Sequence, residues 1–305
     1  MKRLIAFILV FVLMIISADH VVGEEQKVAP MKKLRIAVMD METKARGVDH
    51  RVGDVLSEMV ITALVKTGKY IVLERSEIHK VLREQDLGSS GAVTAETAVK
   101  AGKLLGAQVV VTGTITEYTW FSSGGGIIIK GIGLGSKNAK LTIDLRLVDT
   151  TTGEIITAES ASGTSTSTAL GAGAYVDDIW IAGGFGKNDP MGKAVRDAVG
   201  KIVEIISKKT GDIPWQARIV KRDGEKIYMN IGKNGNIRPD EVFTVYSRGE
   251  ELIDPETGLS LGAEEKQIGR IRITDVKEKY SIGKIIDEYK ETAGTIKRGD
   301  IIREK

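Results

Sequence analysis

Two hydrophobic periods alternate along the first third of the chain, and both must be buried by one fold. Leu34-Arg35-Ile36-Ala37-Val38-Met39 is an apolar run of strand length that ends in a charged, glycine-bearing loop from Thr43 to Asp54. Val55, Met59, Val60, Leu64 and Val65 then recur at helical spacing up to the stop at Gly68. Tyr70-Ile71-Val72-Leu73-Glu74 reads as a second strand, and Ile78, Val81 and Leu82 mark a second helix. An alanine-rich helix from about Thr94 to Leu105 feeds the strand Val109-Val110-Val111, which continues to Thr116. Helices and strands in alternation pack as layers, so the expected class is α/β.

From Tyr118 to Phe185 the texture turns to Gly, Ser, Thr and Ala without helical period. One stretch keeps a clean two-residue rhythm: Ala139, Leu141, Ile143, Leu145 and Leu147, separated by Lys140, Thr142, Asp144 and Arg146, a strand with one wet face. Thr150 to Glu154 is a turn and Ile155-Ile156 starts another strand. Asp189-Pro190 supplies a cap and a proline at the first helical position for a helix running to about Lys209. Beyond Gly211, short strands alternate with turns at Arg222-Asp223-Gly224, Asn234-Gly235 and Asp254 to Gly258, the pattern of a small barrel-like all-β domain. Within it, Ile237-Arg238-Pro239-Asp240-Glu241-Val242 echoes Ile296-Lys297-Arg298-Gly299-Asp300-Ile301. The echo is read either as paired strands of one barrel or as coincidence of turn chemistry.

Composition removes most chemistries. Among 305 residues there is no cysteine and there are three histidines, at positions 20, 50 and 79, which leaves no thiol nucleophile, thiolate metal site or lipidated cysteine and little for a histidine cluster. No catalytic, cofactor or metal site is expected, and the chain is not read as an enzyme. A formal net charge of +3 with interleaved acids does not describe a nucleic-acid surface. Gly131, Gly133 and Gly135 precede a strand rather than a helix, so they are not a dinucleotide loop. Asp177-Asp178 reads as a solvated turn. Lys2 and Arg3, the apolar run Leu4 to Ile16 and the small Gly23 read as a cleaved export signal over 1–23, since about 20 apolar residues are needed to span a bilayer; an uncleaved anchor is the alternative. A linker follows over 24–33.

The aromatics bracket the glycine-rich segments: Tyr118, Trp120 and Phe121 on one side, and Tyr175, Trp180 and Phe185 around the other. Two hairpins rimmed by aromatics fit strands of a membrane barrel, and equally an aromatic cluster under loops of a protein outside the membrane. The segments Leu64 to Arg75, Val110 to Ile115, Gly131-Ile132-Gly133 and Leu145 to Ile155 carry a family likeness in order and spacing. On these the chain resembles the CsgG-like curli production assembly/transport family, an outer-membrane secretion channel family, over roughly Leu34 to Lys209.

That resemblance implies a periplasmic α/β domain over 34–211 with two β-hairpin extensions, near 121–143 and 161–186, followed by the small all-β domain at 214–305. It implies a homo-oligomeric ring whose subunits share one barrel in the outer membrane, with an unfolded secreted protein or envelope accessory proteins as partners. The candidate membrane residues are Trp120, Phe121, Ile132, Leu134, Tyr175, Ile179, Trp180, Ile181 and Phe185. The family's constriction loop corresponds to Lys44, Arg46, Asp49, His50 and Arg51, and here it carries no aromatic residue. The family's lipidated cysteine is also missing. The alternative expectation is a periplasmic scaffold ring of the same fold without a pore.

Overall fold

The computed structural model describes residues 30–84, 95–123, 134–170, 189–256, 260–289 and 294–304. A mixed sheet runs in the order β3-β1-β4-β5-β6 from β1 (Leu34–Val38), β3 (Tyr70–Val72), β4 (Val109–Ser123), β5 (Leu134–Asp149) and β6 (Ile155–Leu170), with the short β2 (Glu42–Thr43) beside β4. β1 is parallel to β3 and β4, whereas β4, β5 and β6 are antiparallel. Adjacent strand residues point to opposite faces. Ile36, Val38, Val109 and Val111 therefore share one face, with α1 (Arg51–Thr67) and α4 (Pro190–Lys209) packed on it. Ala37, Met39 and Val110 take the other, under Ile78 of α2 (Arg75–Glu84) and Ala101 of α3 (Ala95–Leu105).

The helix ends follow the sequence. α1 stops at Gly68, whose φ of 67° lets its N–H reach the Val65 carbonyl at 3.1 Å. α4 starts with Asp189 accepting from the Gly192 N–H at 2.8 Å and proline at the first helical position. The loop expected from Thr43 to Asp54 is shorter. Thr43 belongs to β2, and Arg51 to Asp54 form the first turn of α1.

The second part of the chain is a closed barrel in the order β10-β11-β8-β7-β12-β9, formed by β7 (Gln216–Asp223), β8 (Lys226–Met229), β9 (Val242–Ile253), β10 (Ser260–Val276), β11 (Ser281–Glu288) and β12 (Ile301–Arg303). Its two halves are equivalent. β7 pairs with β8 as β10 pairs with β11, each with a register shift at the matching place, after Ile219 and after Ile273. Gly299 N–H donates to the Ile219 carbonyl and Asp240 N–H to that of Ile273, both at 2.9 Å; the return bonds run from Ile219 to Asp300 and from Ile273 to Glu241. Gly299 and Asp240 hold the same left-handed backbone, at φ 94° and 66°. β8 meets β11 with Tyr228 opposite Ile282, and β9 meets β12 with Thr244 opposite Arg303. The echoed hexapeptides are thus the entries to two strands that pair with each other across a pseudo-twofold axis.

The barrel seats against the end of the sheet. Lys32 Nζ, almost fully buried, donates to both Glu241 carboxylate oxygens, at 2.5 and 2.6 Å, and to the Asn236 carbonyl at 2.8 Å. Arg35 donates to the carbonyls of Gly106 (2.9 Å) and Leu105 (3.0 Å) at the end of α3 and reaches that of Asn230 in the barrel at 3.5 Å. Burial pushes the Arg35 pKa down, while its position at a helix C-terminus favours the cation. Gln108 Nε2 donates to the Pro214 carbonyl at 3.1 Å. Trp215, Phe243, Ile219 and Ile271 of the barrel side join the same apolar cluster as Ile36, Leu64 and Leu145 of the sheet side.

Candidate functional site: the strand ribbon and the loop at its base

β4, β5 and β6 outrun the rest of the sheet. β1 pairs with β4 only at Val109–Val111 and β2 only at Thr114–Ile115, so from Glu117 to Ser123 β4 has a strand partner on one side alone, among the described residues. β6 pairs with β5 alone, from Ile155 to Leu170. A three-stranded ribbon results, and its two faces differ in chemistry.

The face under α4 is apolar and close. Leu141, Ile143 and Leu145 are buried, opposite Gly163, Ala161 and Glu159 of β6. At Gly163 a Cβ would fall 1.8 Å from the Ala194 carbonyl oxygen and 2.6 Å from the Ala198 nitrogen, so the helix lies directly on the strand. The opposite face is a ladder of polar cross-strand pairs. Glu117 meets Lys140 at 2.7 Å and accepts from Thr142 Oγ1 at 2.9 Å, which also contacts Ser162 Oγ at 3.0 Å. Ser160 donates to Asp144 at 2.6 Å, and Thr166 to Asn138 at 2.8 Å. The Lys140 and Thr142 donors hold the Glu117 carboxyl below the usual carboxylate range.

β6 was legible in the sequence only at Ile155-Ile156. Its inner face uses Ala161 and Gly163 where a large apolar residue would collide with α4, which erases the hydropathy alternation. The exposed edge of β6 is not bare. Thr164 N–H donates to Asp197 Oδ2 at 3.2 Å and the Ser162 carbonyl accepts from Lys201 Nζ at 2.6 Å; the two α4 side chains meet at 2.9 Å.

Trp120 and Phe121 are adjacent on β4, about half exposed, and so fall on opposite faces of the ribbon. Lys137 Nζ lies 5.4 Å from the Trp120 ring centroid. Leu134 is opposite Leu170 in the β5–β6 register. Ile132, Tyr175, Ile179, Trp180, Ile181 and Phe185 lie outside the described residues, as do Asp177, Asp178 and most of both hairpin tips.

At the base of the ribbon, the loop over 44–50 and the first turn of α1 form with Tyr118 of β4 a half-open pocket of about 340 Å³, lined by Gly47, Val48, Asp49, Arg51 and Val52. Asp49 organises it. Its Oδ1 accepts the Arg51 backbone N–H at 2.9 Å, and its Oδ2 takes the guanidinium at 3.0 and 2.6 Å. Those hydrogen bonds hold its carboxyl down at about 2. His50 is 88% exposed beside it, with Nδ1 3.3 Å from Asp49. Lys44 and Arg46 are exposed, Lys44 lying 3.6 Å from Glu42. Burial, and then the charge of Asp189, push the Tyr118 phenol up. Tyr118 had no marker in the sequence beyond its aromaticity, because only the bulge after Ile115 sets which way it faces. Among the described residues no group of three or more His, Cys, Asp or Glu could hold a metal ion. His79, away from this site, meets Asp40 at 3.0 Å.

Parts of the chain are similar to known proteins. The curli production assembly/transport component CsgG of Escherichia coli (strain K12) is 27% identical over 125 residues, 38% of this chain, and the chain spans 45%, about half, of that relative's length. The CsgG of Salmonella typhimurium (strain LT2) matches to the same extent. Among solved structures, the hypothetical protein CT253 from Chlamydia trachomatis superposes with a TM-score of 0.40 at 15% identity, over 59% of this chain and 98% of that one. The family model described as "Curli production assembly/transport component CsgG" matches residues 19–226, which takes in the sheet, its four helices and the first strand of the barrel. The chain belongs to the CsgG family of curli production assembly/transport components.

Proposed function

We propose that the chain is a subunit of an oligomeric outer-membrane channel that passes secreted protein across the cell envelope and performs no chemistry on it. The carrying observation is the pair of open strand edges, β4 from Glu117 onward and β6 beyond Thr164, at the two sides of one ribbon, each without a further strand partner among the described residues. Open edges cannot stand in lipid, where each unpaired backbone group costs several kcal/mol, so such a ribbon crosses a bilayer only where copies close a common barrel. In this reading hairpins near 121–143 and 161–186 supply the crossing strands. Trp120 and Phe121 stand at the membrane boundary, and the loop over 44–50 narrows the passage with Asp49 and Arg51. The run Leu4 to Ile16 directs export, and the mature chain starts near Glu24. The sheet part spans 34–211 and the barrel 214–305. Partners are further copies of the chain and an unfolded secreted protein.

A second reading, a periplasmic scaffold ring without a pore, is favoured by one observation: the described ribbon face is polar from Thr142 to Thr166. Arginine substitution separates the two. On a lipid-facing strand position near the midplane it costs about 2–4 kcal/mol per subunit. Ile132→Arg and Ile179→Arg then block insertion, and Thr164→Arg and Thr166→Arg are mild, scored by membrane fractionation and particle imaging. Equal tolerance at all four positions, with rings recovered in the soluble envelope fraction, establishes the scaffold instead.

A further inference from the structure

We propose that the β9–β10 arm of the barrel docks onto the basic outer face of β8 and β11 on the barrel of a second copy of this chain. The arm is an outgrowth of the barrel wall. β12 holds β9 only over Thr244–Tyr246, and β11 holds β10 only from Gly269 on. Between these points the two strands pair, among the described residues, with each other alone, up to Ile253 opposite Ser260. From Arg248 to Ile253 is five strand steps, about 17 Å of reach.

Toward its far end the arm exposes Leu252, Ile253 and Leu261, each between 51% and 60% exposed. Its surroundings are acidic: residues 247–266 hold six acids, among them Glu250, Glu251 and Glu264, against Arg248 and Lys266. Exposed apolar groups clustered inside charge mark a contact surface.

The other half of the contact lies across the pseudo-twofold axis. There the outer face carries Tyr228, Ile282 and the half-exposed Tyr280, with Lys226, Arg272 and Lys284 exposed around them. The Tyr228 and Tyr280 rings lie 6.4 Å apart and form an apolar floor. The acids on this side are each held by a base: Glu225 in the β7–β8 turn lies 3.2 Å from Lys284, Asp275 of β10, opposite Ile282, lies 2.9 Å from Lys277, and Asp287 of β11 pairs with Arg270. An acidic arm that exposes apolar side chains therefore meets its complement in charge and in apolar character on the same molecule type.

The β9–β10 seam that bears the arm and the β11–β8 seam lie at different walls of the barrel, with β10 and β11 between them, and the proposal places the face that the arm meets on a neighbour. Each copy offers one arm and one face. The contact is then head-to-tail, and it propagates round a ring when the rotation closes. It does not rest on the channel reading, since it uses only the barrel.

The absence of cysteine makes the test direct. Full-length Ile253→Cys and Lys279→Cys variants are mixed in detergent-free buffer and treated with a short bismaleimide. A cross-linked dimer is expected from the mixture and from neither variant alone. Leu252→Asp should lower its yield about tenfold, as loss of a central apolar contact does. Lys226→Glu with Lys284→Glu should lower it too, and adding Glu250→Lys should restore part of it. No cross-link in the mixture, a cross-link from Ile253→Cys alone, or indifference to Leu252→Asp each overturns the proposal. So does binding of an anionic polysaccharide that depends on Tyr228 in chains whose cross-link is unaffected by the arm.

Discussion

The carboxylate of Asp197 accepts the backbone N–H of Thr164 at 3.2 Å, so a helix side chain occupies a position that a neighbouring strand would otherwise take. Lys201 does the same for the adjoining carbonyl of Ser162. Sheet edges invite unwanted pairing, and charged side chains laid across them discourage it. Replacing both by alanine is expected to cost less than about 1 kcal/mol in urea unfolding, because both side chains are largely exposed. The same variant should associate more strongly with rising concentration in sedimentation velocity. Sedimentation identical to that of the parent chain would show that the edge needs no guard.

Gly163 and Gly200 sit near one helix and should respond in opposite directions. A side chain at Gly163 collides with the backbone of Ala194 and Ala198, which cannot yield without moving α4. Gly163→Val is therefore expected to lose about 3 kcal/mol. Gly200 is an interior position of α4 where an added Cβ would meet no atom within 4 Å, so Gly200→Ala should gain about 0.5–1 kcal/mol through helix propensity. Thermal melts of the two variants check both signs.

The Asp49 carboxyl should titrate at about 2, below its ordinary 3.8, because the Arg51 guanidinium and backbone N–H bond the ionised form. A depressed acid contributes its stabilisation above the ordinary value and loses it as pH falls through about 2. In Arg51→Gln the carboxyl should return toward 3.8, seen by carboxyl-detected NMR titration. A carboxyl that stays near 2 would place the cause elsewhere than in the Arg51 side chain.

Lys32 is 5% exposed in its side chain and clamps Glu241 of the barrel to the chain segment entering β1. Lys32→Met is expected to cost about 1.5–3 kcal/mol, as the loss of a buried charged hydrogen bond does. Adding Glu241→Leu should recover part of that loss, since the stranded carboxylate is then removed. Two single variants whose costs simply add in a double-mutant cycle would refute the coupling.

The alternation of strand and helix, the start of α4, the end of α1 and the barrel were legible because each is written in local chemistry: Asp189-Pro190, Gly68, and the turns at Asp223-Gly224 and Gly299. The echo of Ile237–Val242 in Ile296–Ile301 was also visible, and the register of β9 on β12 decides it in favour of paired strands. What escaped was set by tertiary contact. β2 is two residues long and exists through its pairing with Thr114 and Ile115. The length of β6 was hidden because α4 demands small residues beneath it. The site divides the same way. The charged loop was found from composition, while the hydrogen bonds of Asp49 and the place of Tyr118 in the pocket wall depend on a helix start and a bulge that no local pattern announces.

The equivalence of the two barrel halves has a consequence for how such a domain comes into being. Tyr228 pairs with its own counterpart Ile282, and Thr244 with its counterpart Arg303, so each half presents strands complementary to those of its twin. Two identical short chains built on that plan would complete each other without any third piece. The present barrel is what joining such a pair into one polypeptide produces. A joined pair can also give its two halves different tasks: here one half seats against the sheet through Gly235 and the backbone of Lys33, and the junction between the halves extends into the arm.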